Sequence, residues 1–151
     1  LYFTMHKPTY KNMYARRLVL SVSVFAFVAI LISCGRETKT EFFKRFSKQY
    51  SDNNCPSRYA DGITTLDSIV FVDDGDKGVQ LVCFSVNVDS LERQIMIEKK
   101  EEIMELNLSM LRNSVVFAKQ KEEGVRFKYV YYDSSRKDKI IECEYTAKDY
   151  Q

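Results

Sequence analysis

The longest apolar stretch of the chain lies near its N-terminus. Residues 18–32 carry no charged side chain, and Arg16 and Arg17 precede them directly. A hydrocarbon core about 30 Å thick needs ~20 helical residues to span it. The run is therefore short for a permanent anchor and typical of the apolar part of a signal peptide. We expect residues 1–33 to be an export signal, with Met13 as a candidate start, and the alternative is an uncleaved single-pass anchor.

A helical period follows this run. Thr38 and Glu41 fit a capping box, in which a Thr oxygen and a Glu carboxylate satisfy the free amides of a helix start. The next aromatic residues recur at spacings of three and four and share one helical face: Phe42 or Phe43, Phe46 and Tyr50. This predicts an amphipathic helix that ends near residues 51–54 and packs on a sheet. The alternative is a helix that lies on lipid headgroups.

From residue 63 the period changes to two. Residues 63–72 and 79–88 are both rich in β-branched and aromatic side chains. Residues 73–78 between them contain two glycines where a turn needs positive φ. The pattern predicts a β-hairpin.

Residues 91–123 contain neither Gly nor Pro and are rich in Glu, Lys, Leu and Met. They predict one long helix, capped at Asp89 and Glu92 and stopped by Gly124. We expect it to dock through residues near one helical stripe: Ile95, Ile103, Leu106, Met110 and Phe117.

A second hairpin is predicted from strands 125–132 and 139–145 with a turn at 133–138. The element order is then α-ββ-α-ββ. This order favours an α+β fold, with a four-stranded antiparallel sheet and both helices on one face. We place this single domain at residues 40–147, after a short polar tether at residues 34–39.

Composition and charge narrow the function classes. The 151 residues suit one domain, and 45% hydrophobic with 29% charged residues is ordinary for a globular protein. The formal net charge is +2, but residues 1–33 hold four basic side chains and no acidic one, which leaves 19 basic and 21 acidic residues elsewhere. A nucleic-acid-binding domain needs a basic face, so nucleic acid is not an expected partner.

The end of the apolar run has a specific resemblance. Leu31-Ile32-Ser33-Cys34 resembles the lipobox of bacterial lipoproteins, with the basic start and apolar run in the expected order. The resemblance implies that Cys34 receives a diacylglycerol and becomes the first mature residue, with its amine acylated by a fatty acid such as palmitate. Two or more acyl chains give stable attachment to a membrane. The implied location is the cell envelope, on either the periplasmic or the surface leaflet.

A second resemblance covers roughly residues 40–147. Cys55-Pro56, residues 61–69 and Tyr129-Val-Tyr-Tyr-Asp133 are similar to segments of small bacterial envelope proteins of uncharacterised function. This resemblance supports the α+β fold and brings no catalytic residue with it.

The sequence offers few residues that could act in catalysis or bind a metal. The only histidine, His6, lies in the predicted export signal, so the mature domain lacks the commonest general base and metal ligand. Asp73, Asp74 and Asp76 do not follow the spacing of a calcium loop, and a solvated turn is the better interpretation. We expect no catalytic residue, no metal site and no cofactor.

Three cysteines remain once Cys34 carries lipid. In an oxidising envelope a disulfide among Cys55, Cys83 and Cys143 is reasonable. The sequence allows three pairings, and Cys55–Cys143 is our candidate. The alternative for Cys83 and Cys143 is a buried free thiol.

Two functions remain open. The first is a non-catalytic interaction module that binds an unknown envelope protein. Its candidate surface is the tyrosines of the last hairpin, because Tyr is enriched at interfaces: Tyr129, Tyr131, Tyr132 and Tyr145. The alternative interpretation is that these rings are buried in the core of the sheet. The second function is a small-ligand carrier or small enzyme with a pocket between helix and sheet. An apolar pocket would favour the second function and a flat aromatic patch the first, which we prefer.

Overall fold

One five-stranded sheet and five helices make up residues 37–135 and 137–151, which are the residues that the computed structural model describes. The helices are α1 (Lys39–Asn54), α2 (Ser90–Glu98), α3 (Lys100–Asn113), α4 (Ala118–Glu122) and α5 (Ala147–Tyr150). The strands are β1 (Ser57–Arg58), β2 (Thr64–Val72), β3 (Val79–Val86), β4 (Arg126–Asp133) and β5 (Lys139–Tyr145). Residues Thr38–Gln151 form one compact unit. The predicted export signal and Cys34 lie outside the described residues.

The sheet order is β1-β2-β3-β4-β5, and the α+β class is confirmed. The predicted hairpins β2–β3 and β4–β5 are both present. The sheet nevertheless has five strands and not four, because Ser57 and Arg58 pair with Leu66 and Thr65 as a short edge strand. Two residues are too few to show a period of two.

The sheet is also not wholly antiparallel. Strands β3 and β4 are paired in parallel, from Val79 opposite Arg126 to Val86 opposite Asp133. Helices α2, α3 and α4 connect these strands, and parallel neighbours require such a crossover. The four-stranded antiparallel sheet predicted from the sequence is therefore wrong in strand number and at its central junction.

All the helix contacts that hold the core are made on one face of the sheet. Phe43 of α1 packs on Phe71 of β2 with ring centroids 5.2 Å apart. Beside this contact, the Ser47 hydroxyl donates a 2.9 Å hydrogen bond to the side-chain carbonyl of Gln80. The predicted capping box at the start of α1 is confirmed, since the Thr38 hydroxyl accepts from the Glu41 amide at 3.2 Å. The alternative of α1 on lipid headgroups is not needed to explain its aromatic face.

The other face of the sheet carries ion-paired side chains. Arg126 pairs with Asp74 and, at 3.0 Å, with Glu144. Lys128 lies 2.9 Å from Glu142 and 3.4 Å from Glu144. Alternate residues of β4 and β5 therefore point either into the helix layer or into this charged layer.

The predicted long helix is broken twice. The chain leaves helical geometry at Lys99 (φ −93°, ψ 19°) and becomes extended at Ser114 (φ −70°, ψ 120°). The second break lies just before Val115 and Val116, whose β-branched side chains are weak helix formers. The predicted C-terminal stop is confirmed, because Gly124 has φ +72°.

The face on which α3 docks also differs from the prediction. Leu111 and Asn107 are 0% and 1% exposed, whereas Leu106 and Met110 are 61% and 40% exposed. The predicted stripe is therefore wrong at Leu106 and Met110, whereas Ile103 is partly buried and packs on the core as predicted. Apolar residues occupy more of this helix than the sheet can cover. The inward side carries Leu111 and the partly buried Met104 and Leu108, and there the Tyr131 hydroxyl donates a 2.9 Å hydrogen bond to the Asn107 side chain.

Ile95 of the same predicted stripe is 42% exposed, so it is not a core residue. Phe117 is buried as expected, but it precedes α4 and packs on Phe127 at a centroid distance of 5.2 Å.

Candidate functional site

An apolar cleft of about 160 Å³ opens on the helix-covered side of the sheet. Its lining combines side chains from the sheet, from α1, from the β1–β2 loop and from the end of α3 with the loop after it. The sheet contributes Leu66, Ile69, Val82, Phe84 and Tyr129. The other elements contribute, in the same order, Tyr50, then Tyr59, then Met110, Ser114, Val116 and Phe117. Ser114 is the only one that is neither aromatic nor aliphatic. We call this site the apolar cleft.

The floor of the apolar cleft lies at the parallel junction. Val82 of β3 is directly opposite Tyr129 of β4 in the register. The ring of Phe84 stacks near Tyr129, with centroids 6.1 Å apart and 20° between the planes. These side chains point into the helix layer because they occupy alternate positions of their strands. The floor is thus a rigid part of the core.

The mouth of the cleft is made of exposed apolar side chains. Tyr59 is 40%, Met110 40% and Val116 39% exposed. We call these three residues the apolar rim. The rim exists because the sheet leaves Met110 of α3 uncovered, and because the chain leaves the helix at Ser114 and turns at residues 115–117, which places Val115 and Val116 at the surface. Val115, next to the rim, is 86% exposed.

The tyrosines predicted as an interaction surface lie mostly in the core. Tyr129, Tyr131 and Tyr145 are 3%, 8% and 2% exposed, so they do not form an exposed patch. Their aromatic rings fill the space between β4, β5 and α3, as the alternative interpretation stated. Tyr132 alternates to the other face of the sheet and is half-buried.

Buried tyrosines of the core, of which Tyr129 lines the cleft, are held in the protonated form. Burial raises the pKa of Tyr131 and of Tyr150 to about 12. Burial is also the main cause that raises the pKa of Tyr129, with further contributions from Tyr131 and Tyr59. These hydroxyls therefore act as hydrogen-bond donors at any physiological pH.

A second depression, of about 390 Å³, runs between α1 and the β2 edge. Its lining is polar or charged on the α1 side, where Lys48 forms an ion pair with Asp52 at 2.6 Å. The Ser51 hydroxyl donates to the Ile69 carbonyl and accepts from the Ile69 amide, both at 2.8 Å. The Ser51 hydroxyl thus occupies the amide and the carbonyl of Ile69, which a strand added at this edge would need. We therefore prefer the apolar cleft as the site.

The three cysteines of the described residues are free thiols, and the Cys55–Cys143 disulfide is not present in the structure. Cys143 is buried opposite Tyr129 on the helix side of the sheet. Cys83 lies on β3 in the alternation of the opposite face. Burial raises the pKa of all three thiols, which keeps them in the unreactive protonated form.

The acidic turn between β2 and β3 is satisfied by its own backbone. Asp74 accepts hydrogen bonds from the amides of Asp76 and Gly78 and forms an ion pair with Arg126. Within residues 37–135 and 137–151, no group of three or more His, Cys, Asp or Glu is placed to hold a metal ion. No helix in that part of the chain has the length and apolar character needed to cross a membrane.

Comparison with protein families gives one match over most of the chain. The model of a family described as "Domain of unknown function (DUF8479)" matches residues 38–141. Comparison with curated proteins gives no match.

Comparison with solved structures gives two matches that differ in similarity. A crystal structure of a Pseudomonas aeruginosa protein, described as a "putative secreted protein", is 9% identical, has a TM-score of 0.58, and covers 78% of this chain and 100% of its own. At this identity the likeness establishes a shared fold. A pilotin from the type 2 secretion system of Vibrio vulnificus is 14% identical, with a TM-score of 0.47, and covers 72% of this chain and 94% of its own.

Proposed function

We propose that this chain, which belongs to the DUF8479 family, is a lipid-anchored protein of the cell envelope that binds a partner protein without catalysis. The apolar cleft and its exposed rim carry the proposal. Side chains as large as Tyr59 and Met110 are 40% exposed at the mouth of a cleft whose floor is continuous with the core. Contiguous exposed apolar surface of this kind marks binding sites.

An apolar cleft without an exposed tyrosine patch is by itself the feature expected of a small-ligand carrier. The size of this cleft nevertheless favours a protein partner over a small ligand. Pockets for small molecules usually measure 300–1,000 Å³, and this cleft measures about 160 Å³. A pocket of this size suits one or two anchoring side chains, which in protein interfaces supply most of the binding energy. The exposed Val115 beside the rim extends the apolar surface beyond the cleft. A small-ligand carrier or small enzyme remains the alternative.

The chemistry of the lining supports a binding role. The side chains that line the cleft include no acid, no base and no thiol. Its ionisable groups are tyrosines, and burial raises the pKa of Tyr129 away from the range of a general base. The cleft can therefore bind a partner by shape complementarity, apolar contacts and hydrogen bonds from its hydroxyl groups.

The envelope location rests on the N-terminal sequence. The basic start, the apolar run and Leu31-Ile32-Ser33-Cys34 support export and lipid attachment at Cys34. The shared fold with a protein described as a "putative secreted protein" is consistent with this location. Helix α1 begins at Lys39, five residues after Cys34. Since a residue spans at most about 3.6 Å, the domain would start within roughly 18 Å of the lipid, and the partner would bind close to the membrane.

Lipid attachment is tested by labelling cells with a palmitate analogue. The label should enter the wild-type protein and not Cys34→Ala, which should accumulate as the unprocessed precursor. Equal labelling of both proteins would contradict the lipoprotein assignment.

Partner binding through the cleft is tested by photo-cross-linking in intact cells, with a photoreactive amino acid at Val115. We expect a discrete covalent adduct that disappears with Met110→Lys. The matched control is Ile97→Lys, because Ile97 is also a helical residue, 43% exposed, and does not line the cleft. An adduct that survives Met110→Lys, or that disappears equally with Ile97→Lys, would refute binding at the cleft.

A further inference from the structure

Tyr129 differs from the other buried tyrosines in its hydrogen bonding. The hydroxyl of Tyr131 donates to the Asn107 side chain at 2.9 Å, that of Tyr145 to the Met104 carbonyl at 2.8 Å, and that of Tyr150 to the Val125 carbonyl at 2.6 Å. Tyr129 is 3% exposed, and its hydroxyl makes no hydrogen bond to any other described residue. A buried Tyr hydroxyl usually has a partner. The Tyr129 oxygen is not among the fully buried atoms that lack one, so this hydroxyl is open to water.

The position of Tyr129 explains this difference from the other buried tyrosines. Tyr129 lines the apolar cleft, whereas Tyr131, Tyr145 and Tyr150 do not. Its ring is held from two sides, by Phe84 at 6.1 Å and by Tyr145 at 5.7 Å between centroids. The hydroxyl is therefore a fixed donor at the floor of an apolar site. An occupant that displaces water from it without accepting its hydrogen bond would incur the cost of an unmade bond.

We infer that the Tyr129 hydroxyl recognises the bound partner by donating a hydrogen bond to a free backbone carbonyl next to an apolar side chain that fills the cleft. This inference rests on the proposed function and specifies the partner's chemistry. The apolar side chain is anchored by the floor and the rim, and the hydroxyl selects a segment whose carbonyl arrives in the right place. An occupant without an acceptor would leave the donor buried and unpaired.

The lining decides which acceptor fits. No Lys or Arg side chain lines the cleft, so a carboxylate there would lose its water without gaining a cation, which is strongly unfavourable. A neutral carbonyl does not have this cost. Carbonyls inside a helix are already occupied by helix hydrogen bonds. The recognised residue therefore belongs to an extended segment or to the last turn of a helix.

The test uses short random peptides, selected on the processed, lipid-anchored chain in phospholipid nanodiscs. Selected peptides should be apolar and uncharged at the anchoring position, and they should lose binding with Met110→Lys but not with Ile97→Lys. Tyr129→Phe should weaken their binding roughly two- to tenfold, the range of one neutral hydrogen bond. Tyr150→Phe, which removes a hydroxyl outside the cleft, should leave the affinity unchanged.

A second readout reports on the hydroxyl itself. In protein labelled with ¹³Cζ-tyrosine, the resonance missing from Tyr129→Phe should shift on addition of peptide, and the resonance missing from Tyr150→Phe should not. Tyr129→Phe should also fold as well as the wild type by circular dichroism, because the lost hydroxyl has no partner within the described chain. A folding defect in this variant would contradict the inference.

The outcomes separate this inference from the proposed function. Equal binding of the peptides by wild type and Tyr129→Phe, together with loss in Met110→Lys, would overturn the role of Tyr129 and leave the cleft as the binding site. Failure to select any peptide that depends on Met110 would overturn both. Competition of free palmitate for the peptide site would assign the cleft to an acyl chain and overturn recognition of a protein segment.

Discussion

Two leucines of α3 test which side of this helix belongs to the core. Leu111 is 0% exposed and belongs to the core cluster with Phe117 and Phe127, whereas Leu106 is 61% exposed. The two residues have the same side chain, lie on the same helix and differ in burial. Replacing each with Ala therefore isolates the effect of the docking face.

The expected magnitudes follow from burial. Leu111→Ala removes a fully buried side chain, and such substitutions cost about 2–5 kcal/mol, through lost transfer free energy and the cavity that remains. Leu106 keeps only about two fifths of its surface buried. Since full burial of a Leu contributes about 1.5–3 kcal/mol, Leu106→Ala should cost no more than about 1 kcal/mol.

Urea unfolding followed by circular dichroism measures both free energies. For Leu111→Ala we expect a lower urea midpoint and an unchanged dependence of the free energy of unfolding on urea concentration. This result would show a loss of stability without a change in the surface exposed on unfolding. Equal losses for the two variants, or a larger loss for Leu106→Ala, would refute the orientation of α3 and with it the apolar rim.

Three further predictions concern the elements around the site. Thr38→Ala should lower the free energy of unfolding by about 0.5–2 kcal/mol, because α1 loses its N-cap. Thr38→Ser should restore this stability, and an unchanged urea midpoint in the Ala variant would contradict the cap. Tyr150→Ala should cost about 3–5 kcal/mol by urea unfolding, because its ring packs on Phe127 at 5.5 Å; a loss below about 1 kcal/mol would mean that α5 is not docked. Hydrogen bonds from backbone amides lower the pKa of the Asp61 and Asp149 carboxyls. The unfolded chain therefore binds more protons near pH 4, so the urea midpoint should fall as the pH drops through about 4, and Asp61→Asn should reduce that dependence; a midpoint that rises on acidification would contradict the sign.

The elements that depend on neighbouring residues were predictable from the sequence. The caps at Thr38 and Asp89 and the turn glycines are set by contacts over a few positions, and each is where the pattern placed it. Both hairpins follow from the same short-range signals. The period and the turn chemistry are enough because a hairpin register is fixed by its turn.

The parts that depend on distant residues were not predicted. The helical segment between β3 and β4 is long enough for a parallel crossover, and this signal was available, but antiparallel pairing was also compatible with the pattern. The docking side of α3 depends on the partner of one polar residue, Asn107, which lies in a helix with apolar residues on both sides. The inward side also carries Leu111 and the partly buried Ile103, Met104 and Leu108.

The candidate site was missed for the same reason. Its lining comes from residues as far apart as Tyr50 and Tyr129, and no local pattern links them. The one available signal was Asn113-Ser114-Val115-Val116, a polar pair followed by two β-branched residues, which favours a break in a helix. That break is what exposes Val116 at the rim.

The parallel pairing at the centre of the sheet sets the order in which this domain can fold. Each hairpin closes a short loop, whereas Val79 and Arg126 are 47 positions apart in the chain and meet only after the helical crossover has folded back. Closing a longer loop costs more chain entropy before any contact compensates for it, and pairings distant in sequence slow folding. We therefore expect the two hairpins to form early and their pairing to be the late, slow event. The floor of the apolar cleft lies at this parallel junction, so the cleft should form only when the hairpins have paired.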